Sequence, residues 1–312
     1  MGGRLWVFGF VFMALSVGFA SAEGVCGPAP EALGQFDDRD FRRMPDGERA
    51  WLDDLCISEG TVRSRGADIG ITEVRHQAKT NDLVFAVLHD DENEAFRAMV
   101  WAVHVFGGRG IAVEFDERRY LKVACPPRHA ECDPNRIFGR RGFSAYTEYF
   151  RAAFESVPLV IAMHTNRPAG IFDVDTVKST DICSANDQRD DFILAGEMNP
   201  GATMTCERED IAGLVAMGHN VAYLIMDPVE DPYRECREGC DLQAYAMRNL
   251  GKTYFNLEAV RGGGVDTHKS QLCAVLDPGG ENYQCTPYIG ETEKNFTPIL
   301  EDEARPLFGG GR

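Results

Sequence analysis

Residues 83–88, Leu-Val-Phe-Ala-Val-Leu, form an unbroken apolar run. A strand turns alternate side chains to opposite faces, so such a run is stable only where both faces are covered. The pattern recurs at 158–163 and 221–226, and residues 253–260 read as a further strand. Helical stretches separate these runs. Residues 92–106 place Phe96, Met99, Val103 and Phe106 on one stripe and stop at Gly107-Gly108. Residues 144–156, 211–217 and 242–250 are predicted as further helices, and 111–115 and 120–124 as shorter strands. Apolar strands alternating with helices predict an α/β fold: a largely parallel, mixed and twisted sheet with helices on both faces.

The flanks carry different signals. Arg4, the apolar stretch 5–20 and the small-x-small pattern Ala20-Ser21-Ala22 read as a signal peptide over residues 1–22. That stretch is too short for a stable membrane span, and no other approaches spanning length. Residues 23–80 are polar and weakly patterned, with a short helix at 49–57, and are expected to wrap the domain as an N-terminal extension. The core is placed at 81–262, and the Gly- and Pro-rich residues 263–312 are expected to be an irregular tail.

All ten cysteines follow the predicted cleavage point, an even count that in an exported chain implies disulfides and a periplasmic or extracellular location. Cys125/Cys132 and Cys236/Cys240 are spaced to close small loops, and the paired C-x-x-C spacing of a zinc ribbon is missing. With 49 acidic against 32 basic residues and no Lys/Arg run, nucleic acid is excluded as a partner. A soluble chain without a membrane span after cleavage, and a monomer, is expected.

Three polar clusters fall at or near the carboxyl ends of predicted strands, where ligands bind in open α/β sheets. His89-Asp90-Asp91-Glu92 ends the first, His164-Thr165-Asn166 ends the second, and Glu258 lies in the last. Imidazole and carboxylate three residues apart across a strand-to-helix turn can face one point and suit zinc, although Glu92 could instead cap the helix. His164 offers a third ligand, leaving a fourth position for water as in catalytic sites. Glu258 is an acid in an apolar strand and needs a partner or a task, such as general-base catalysis. Asp133-Pro134-Asn135-Arg136 presents a guanidinium fork suited to a carboxylate or an oxyanion. His76, His104, His129, His219 and His268 are assigned to surface or packing roles.

This order of motifs, covering about residues 82–262, resembles the zinc carboxypeptidase superfamily: H-x-x-E, an Asn-Arg pair after Asp-Pro, a strand-end His, then a late Glu. That superfamily includes carboxypeptidase A-like peptidases and succinylglutamate desuccinylase/aspartoacylase deacylases. The resemblance implies a phosphorylase/hydrolase-like architecture and one zinc ion per chain, held by His89, Glu92 and His164. It implies Glu258 as general base and proton donor, and Asn135 and Arg136 as the holders of a substrate carboxylate. An Arg that polarises the scissile carbonyl falls on Arg118 or Arg119, with Arg119 favoured because it leads into the 120–124 strand. Tyr245 and Tyr233 are candidates for the substrate-gating tyrosine. The departures are a short interval from Glu92 to His164 and Ile137-Phe138 after the Asn-Arg pair. Amide hydrolysis of a peptide is the expected activity, extending to cell-wall peptides in a bacterium with a periplasm. Deacylation of an N-acyl amino acid, or a secreted binding module without turnover, are the alternatives.

Overall fold

A computed structural model of the chain describes residues 20–21, 24–27, 36, 39–123, 125, 131–166, 181–187, 190–197, 206, 208–225, 236 and 239–288. Most of the expected signal segment, the tip of the 125–132 loop with His129, Tyr233 and the last two dozen residues lie outside them.

The strands are β1 (Ala20–Ser21), β2 (Val25–Cys26), β3 (Leu55–Ser64), β4 (Ala67–His76), β5 (Leu83–Val87), β6 (Arg109–Glu114), β7 (Leu159–Asn166), β8 (Asp181–Cys183), β9 (Phe192–Glu197), β10 (Asn220–Ile225) and β11 (Thr253–Val260). They form one sheet in the order β1-β3-β4-β6-β5-β7-β11-β9-β10-β8, with β2 also on β3. The centre, β6-β5-β7-β11, is parallel throughout. Antiparallel pairs β4·β6 and β11·β9 flank it.

Helices cover both faces. They are α1 (Arg39–Arg43), α2 (Asp46–Arg49), α3 (Asn93–Phe106), α4 (Ser144–Phe154), α5 (Glu209–Ala216), α6 (Leu242–Ala244, continued by a π turn at Tyr245–Asn249) and α7 (Gly264–Leu276), of which α3, α4, α6 and α7 matter for the site. In β5 the run divides by period two: Leu83, Phe85 and Val87 pack in the core that includes α3 and α7. Val84, Ala86 and Leu88 pack in the core that includes α4. Each large apolar side chain buried in this way contributes about 1.5–3 kcal/mol, which is why so short a strand can sit at the centre of the sheet.

Three expectations are corrected. Residues 55–76, read as part of a weakly patterned extension, form the hairpin β3–β4, ten residues per strand, integrated into the sheet through β6. Its mixed burial on the outer strand hid the alternation. Of residues 120–124, expected to be a strand, 124 lies outside the described residues and 120–123 are not a strand: Leu121 makes a single bridge to Cys132, while β6 pairs on both edges with β4 and β5. Residues 264–276, expected to be irregular, are the helix α7. Its inward face carries His268 and Gln271 among Val265, Leu272, Cys273 and Val275, so the apolar periodicity was broken by two buried polar residues. The carboxylate of Glu94, in the first turn of α3, accepts from the amides of Gly262 and Gly264 and so caps the start of α7.

All ten cysteines pair: Cys26–Cys56, Cys125–Cys132, Cys183–Cys206, Cys236–Cys240 and Cys273–Cys285. Among the described residues no helix is long and apolar enough to cross a membrane.

Candidate metal centre

The parallel centre of the sheet is staggered at its carboxyl edge. Pairing of β5 with β7 runs to Ala86↔Ala162, whereas β7 and β11 stay paired up to Asn166↔Val260. His164 and Glu258 are direct partners in that extension. They stand beside the turn by which the chain leaves β5, where the Glu92 amide donates to the His89 carbonyl at 3.2 Å.

His89, Glu92 and His164 are all buried, and their ligand atoms lie within 4.8 Å of one another. Both imidazoles turn Nδ1 to the same carboxylate, His89 to Glu92 Oε1 at 2.9 Å and His164 to Oε2 at 3.0 Å. Glu92 occupies the N-cap position of α3, yet its side chain caps nothing there. Ala95, in the first turn, donates instead to the Thr165 hydroxyl at 3.1 Å. Helix capping therefore does not account for this acid. The group could hold a metal ion, and its two imidazoles and one carboxylate suit zinc chemically.

The outer nitrogen of His89 is held by Asp133 Oδ1 at 3.0 Å, an arrangement that fixes ring orientation and raises ligand basicity. The outer nitrogen of His164 is buried and has no hydrogen-bond partner among the described residues. Burial alone would lower the His89 pKa, but the Glu92 and Asp133 carboxylates more than offset it and push it up to about 9. Burial would raise Glu92, and His89 and His164 more than offset that, leaving its carboxyl well below the usual range. A cation bound among these groups would take over what the His89 proton supplies.

Asp133 opens the 3-10 turn Pro134–Arg136 and accepts from the Asn135 amide at 2.8 Å. Asn135 Oδ1 accepts from the Leu242 amide at 3.0 Å, tying this turn to α6. Arg136 contacts Asp133 at 3.6 Å and is otherwise open, its side chain 75% exposed. The structure also separates the two arginines. Asp90 accepts from the amides of Phe115 and Glu117 at 2.6 and 2.5 Å, which shapes the turn after β6. Beyond it Arg118 is exposed, whereas Arg119 reaches Glu92 Oε1 at 2.7 Å.

Glu258 is 3% exposed. Burial pushes its carboxyl up to about 6, against the opposing effect of His164. Its Oε1 accepts from Asn256 Nδ2 at 2.7 Å, and its Oε2 has no hydrogen-bond partner among the described residues.

Tyr245 is a correction. It is 2% exposed and stacked on Phe138 at 5.2 Å, so its ring belongs to the core and not to a gate. Three residues around the site were given no role from the sequence. Asp133 stood in the motif without a function, Thr165 follows His164, and Asn256 lies two before Glu258 and thus on the same face of β11. His268, assigned to packing, is fully buried on α7.

No protein-family model matches the chain, and no curated protein does. Solved structures similar to it include a succinylglutamate desuccinylase from a Silicibacter species, 15% identical, covering 70% of this chain and 64% of that one, with a TM-score of 0.39. An aspartoacylase family protein from Mesorhizobium loti is 14% identical over 70% of this chain and 66% of its own, with a TM-score of 0.34. The LapA aminopeptidase of Legionella pneumophila is 8% identical over 75% of this chain and 55% of its own, with a TM-score of 0.33. This chain thus spans less than two thirds of the length of each of these three.

Proposed function

We propose that this chain is an exported zinc-dependent hydrolase of an amide bond, acting as a metallocarboxypeptidase-like peptidase on a substrate with a free carboxylate. The observation that carries the reading is the convergence of three buried ligand atoms within 4.8 Å beside a second buried acid, Glu258, whose Oε2 has no hydrogen-bond partner among the described residues. The five disulfides and the motif order of the sequence support it.

In this reading His89, Glu92 and His164 hold one zinc ion, with Asp133 orienting His89. Zinc bound there supplies Lewis-acid polarisation of a carbonyl and lowers the pKa of water to about 7. Glu258, ionised above a pH of about 6, takes a proton on Oε2 and passes it to the leaving nitrogen. Arg119 lies beside the ligand carboxylate and stabilises negative charge developing on the scissile carbonyl oxygen. Arg136 and the Nδ2 donor of Asn135 hold the substrate carboxylate. The low-dielectric surroundings of Glu258 raise its basicity towards neutrality, which is where a general base is most effective.

A second reading, deacylation of an N-acyl amino acid, is favoured by the burial of Tyr245, the one of the two gating candidates that is among the described residues. The deciding measurement is zinc content of the oxidised, mature protein against His164→Ala. About one zinc per chain in the wild type, with affinity reduced at least ~100-fold in the variant, is expected for a site with three protein ligands. Little zinc in the wild type would remove the hydrolase and leave a binding module. Dipeptides with free carboxyl ends, run against N-acyl amino acids, then separate peptidase from deacylase.

A further inference from the structure

Glu258 is gripped at two points. Asn256 Nδ2 donates to its Oε1 at 2.7 Å, and both residues are buried on the same face of β11. From the other side of the sheet, Gln271 Nε2 on α7 donates to the Glu258 carbonyl at 2.9 Å and to the Phe192 carbonyl at 3.2 Å. Glu258↔Phe192 is the last paired position of the β9·β11 ladder, so this amide closes the ladder where the strands part. Gln271 is 1% exposed and its own position is set by packing of α7.

The consequence for the carboxylate is asymmetric. A short side chain two residues away can reach only the near oxygen, and Oε1 is taken. Oε2, equally buried, has no hydrogen bond among the described residues. A buried carboxylate oxygen without a donor costs several kcal/mol in general, so a fold that fills Oε1 and leaves Oε2 bare has reserved the second oxygen for a ligand. His164 is the direct strand partner of Glu258, so register puts the Glu258 side chain on the face of the sheet that carries His164.

Resting on the reading of the site given above, we propose that Asn256 is a positioning residue: it pins Glu258 through Oε1 and leaves Oε2 as the oxygen that exchanges the proton with substrate. A threonine or serine could not span to Oε1 with the same reach, and an apolar residue would free the carboxylate to rotate about its last bond. Misplacement of a reacting atom by about 1 Å is worth about 100-fold in rate.

The test compares wild type, Asn256→Leu and Asn256→Ser, with three readouts. Zinc affinity is measured with zinc alone, turnover with dipeptides and N-acyl amino acids, and the protonated Glu258 carboxyl by its infrared carbonyl band in metal-free protein, assigned by its loss in Glu258→Gln. In Asn256→Leu the expected results are zinc affinity within threefold of wild type and kcat lowered at least tenfold at unchanged KM. The Glu258 band should lose the frequency shift imposed by the amide donor. Asn256→Ser, which retains a donor of shorter reach and is gentler on folding, should recover part of kcat. An unchanged band with unchanged kcat would overturn the proposal, as would parallel loss of zinc and turnover, the mark of a merely structural residue. A wild type that binds no zinc would remove the reading of the site, and the infrared comparison would still decide the Asn256–Glu258 contact by itself.

Discussion

The two walls of the candidate site are built on different principles. One wall carries His89, Glu92, His164 and Glu258: the last two sit inside the β7·β11 ladder, and the first two in the short turn that joins β5 to α3, between two apolar cores. The opposite wall carries Arg119, Asp133, Asn135 and Arg136 on chain with almost no ladder. It is held by single bridges, Leu121↔Cys132 and Phe138↔Cys240, by the Asn135–Leu242 bond, and by the disulfides Cys125–Cys132 and Cys236–Cys240. Gly239 lies so close to the Arg136 carbonyl, at a φ of +98°, that a larger residue would push this wall outward. The strand wall is suited to holding a metal and a base in fixed relation. The cross-linked wall touches that geometry through two side chains, Asp133 on His89 and Arg119 on Glu92, and under the proposed function its other residues, Asn135 and Arg136, would set substrate choice.

That division can be broken deliberately. The largest effect is expected on the strand wall: Glu258→Gln should keep zinc and lose turnover by about 10²- to 10⁴-fold, read by steady-state kinetics on whichever probe the wild type cleaves. The same variant should be more stable. The folded-state pKa of about 6 lies above the usual 4.5, so the native protein binds more protons between these values and loses stability as pH rises through that window. Removing the charge should therefore stabilise metal-free protein by about 2 kcal/mol above pH 6. The gain should vanish as pH falls towards 4.5, which urea unfolding at several pH values would show. If stability does not change with pH in this way, the carboxylate is not paying a burial penalty.

A smaller effect is expected where the walls meet. Asp133→Asn keeps the shape but removes the charge that holds His89 Nε2, and should weaken zinc about 10- to 100-fold, measured by competition with a chelator. An unchanged affinity would mean that the ring is positioned by the strand wall alone. The smallest effect belongs to the cross-linked wall. Cys236→Ser with Cys240→Ser closes no loop of consequence, so the stability loss should stay at or below about 2 kcal/mol. Zinc content should be unchanged and KM should rise several-fold. Loss of zinc in that variant would erase the distinction between the walls.

Legibility in the sequence follows the same line. β11 ends where the run 253–260 ends, and α3 follows the stripe of Phe96, Met99 and Val103, because burial on a regular element imprints its period. His89, Glu92 and His164 were readable because they interrupt those periods at the strand ends. The hairpin β3–β4 was not, since its outer strand is only partly covered and polar residues fill its exposed positions. Nor was α7, whose apolar spacing is interrupted by the buried His268 and Gln271. Arg119 and Asp133 come to the site through turns set by the Asp90 bonds to Phe115 and Glu117 and by the 3-10 turn at Pro134, contacts distant in sequence that leave no periodic trace.

The clip between Glu94 and the amides of Gly262 and Gly264 has a consequence for the order in which the protein is made. Every proposed ligand and the proposed base have emerged once residue 258 is synthesised, but the helix whose Gln271 closes the ladder behind that base arrives later and docks on an acid laid down some 170 residues earlier. A nascent chain halted between these points holds all its chemical groups and lacks the backbone hold on one of them. Completion of the candidate site thus waits until residues 264–276 have been made and have docked.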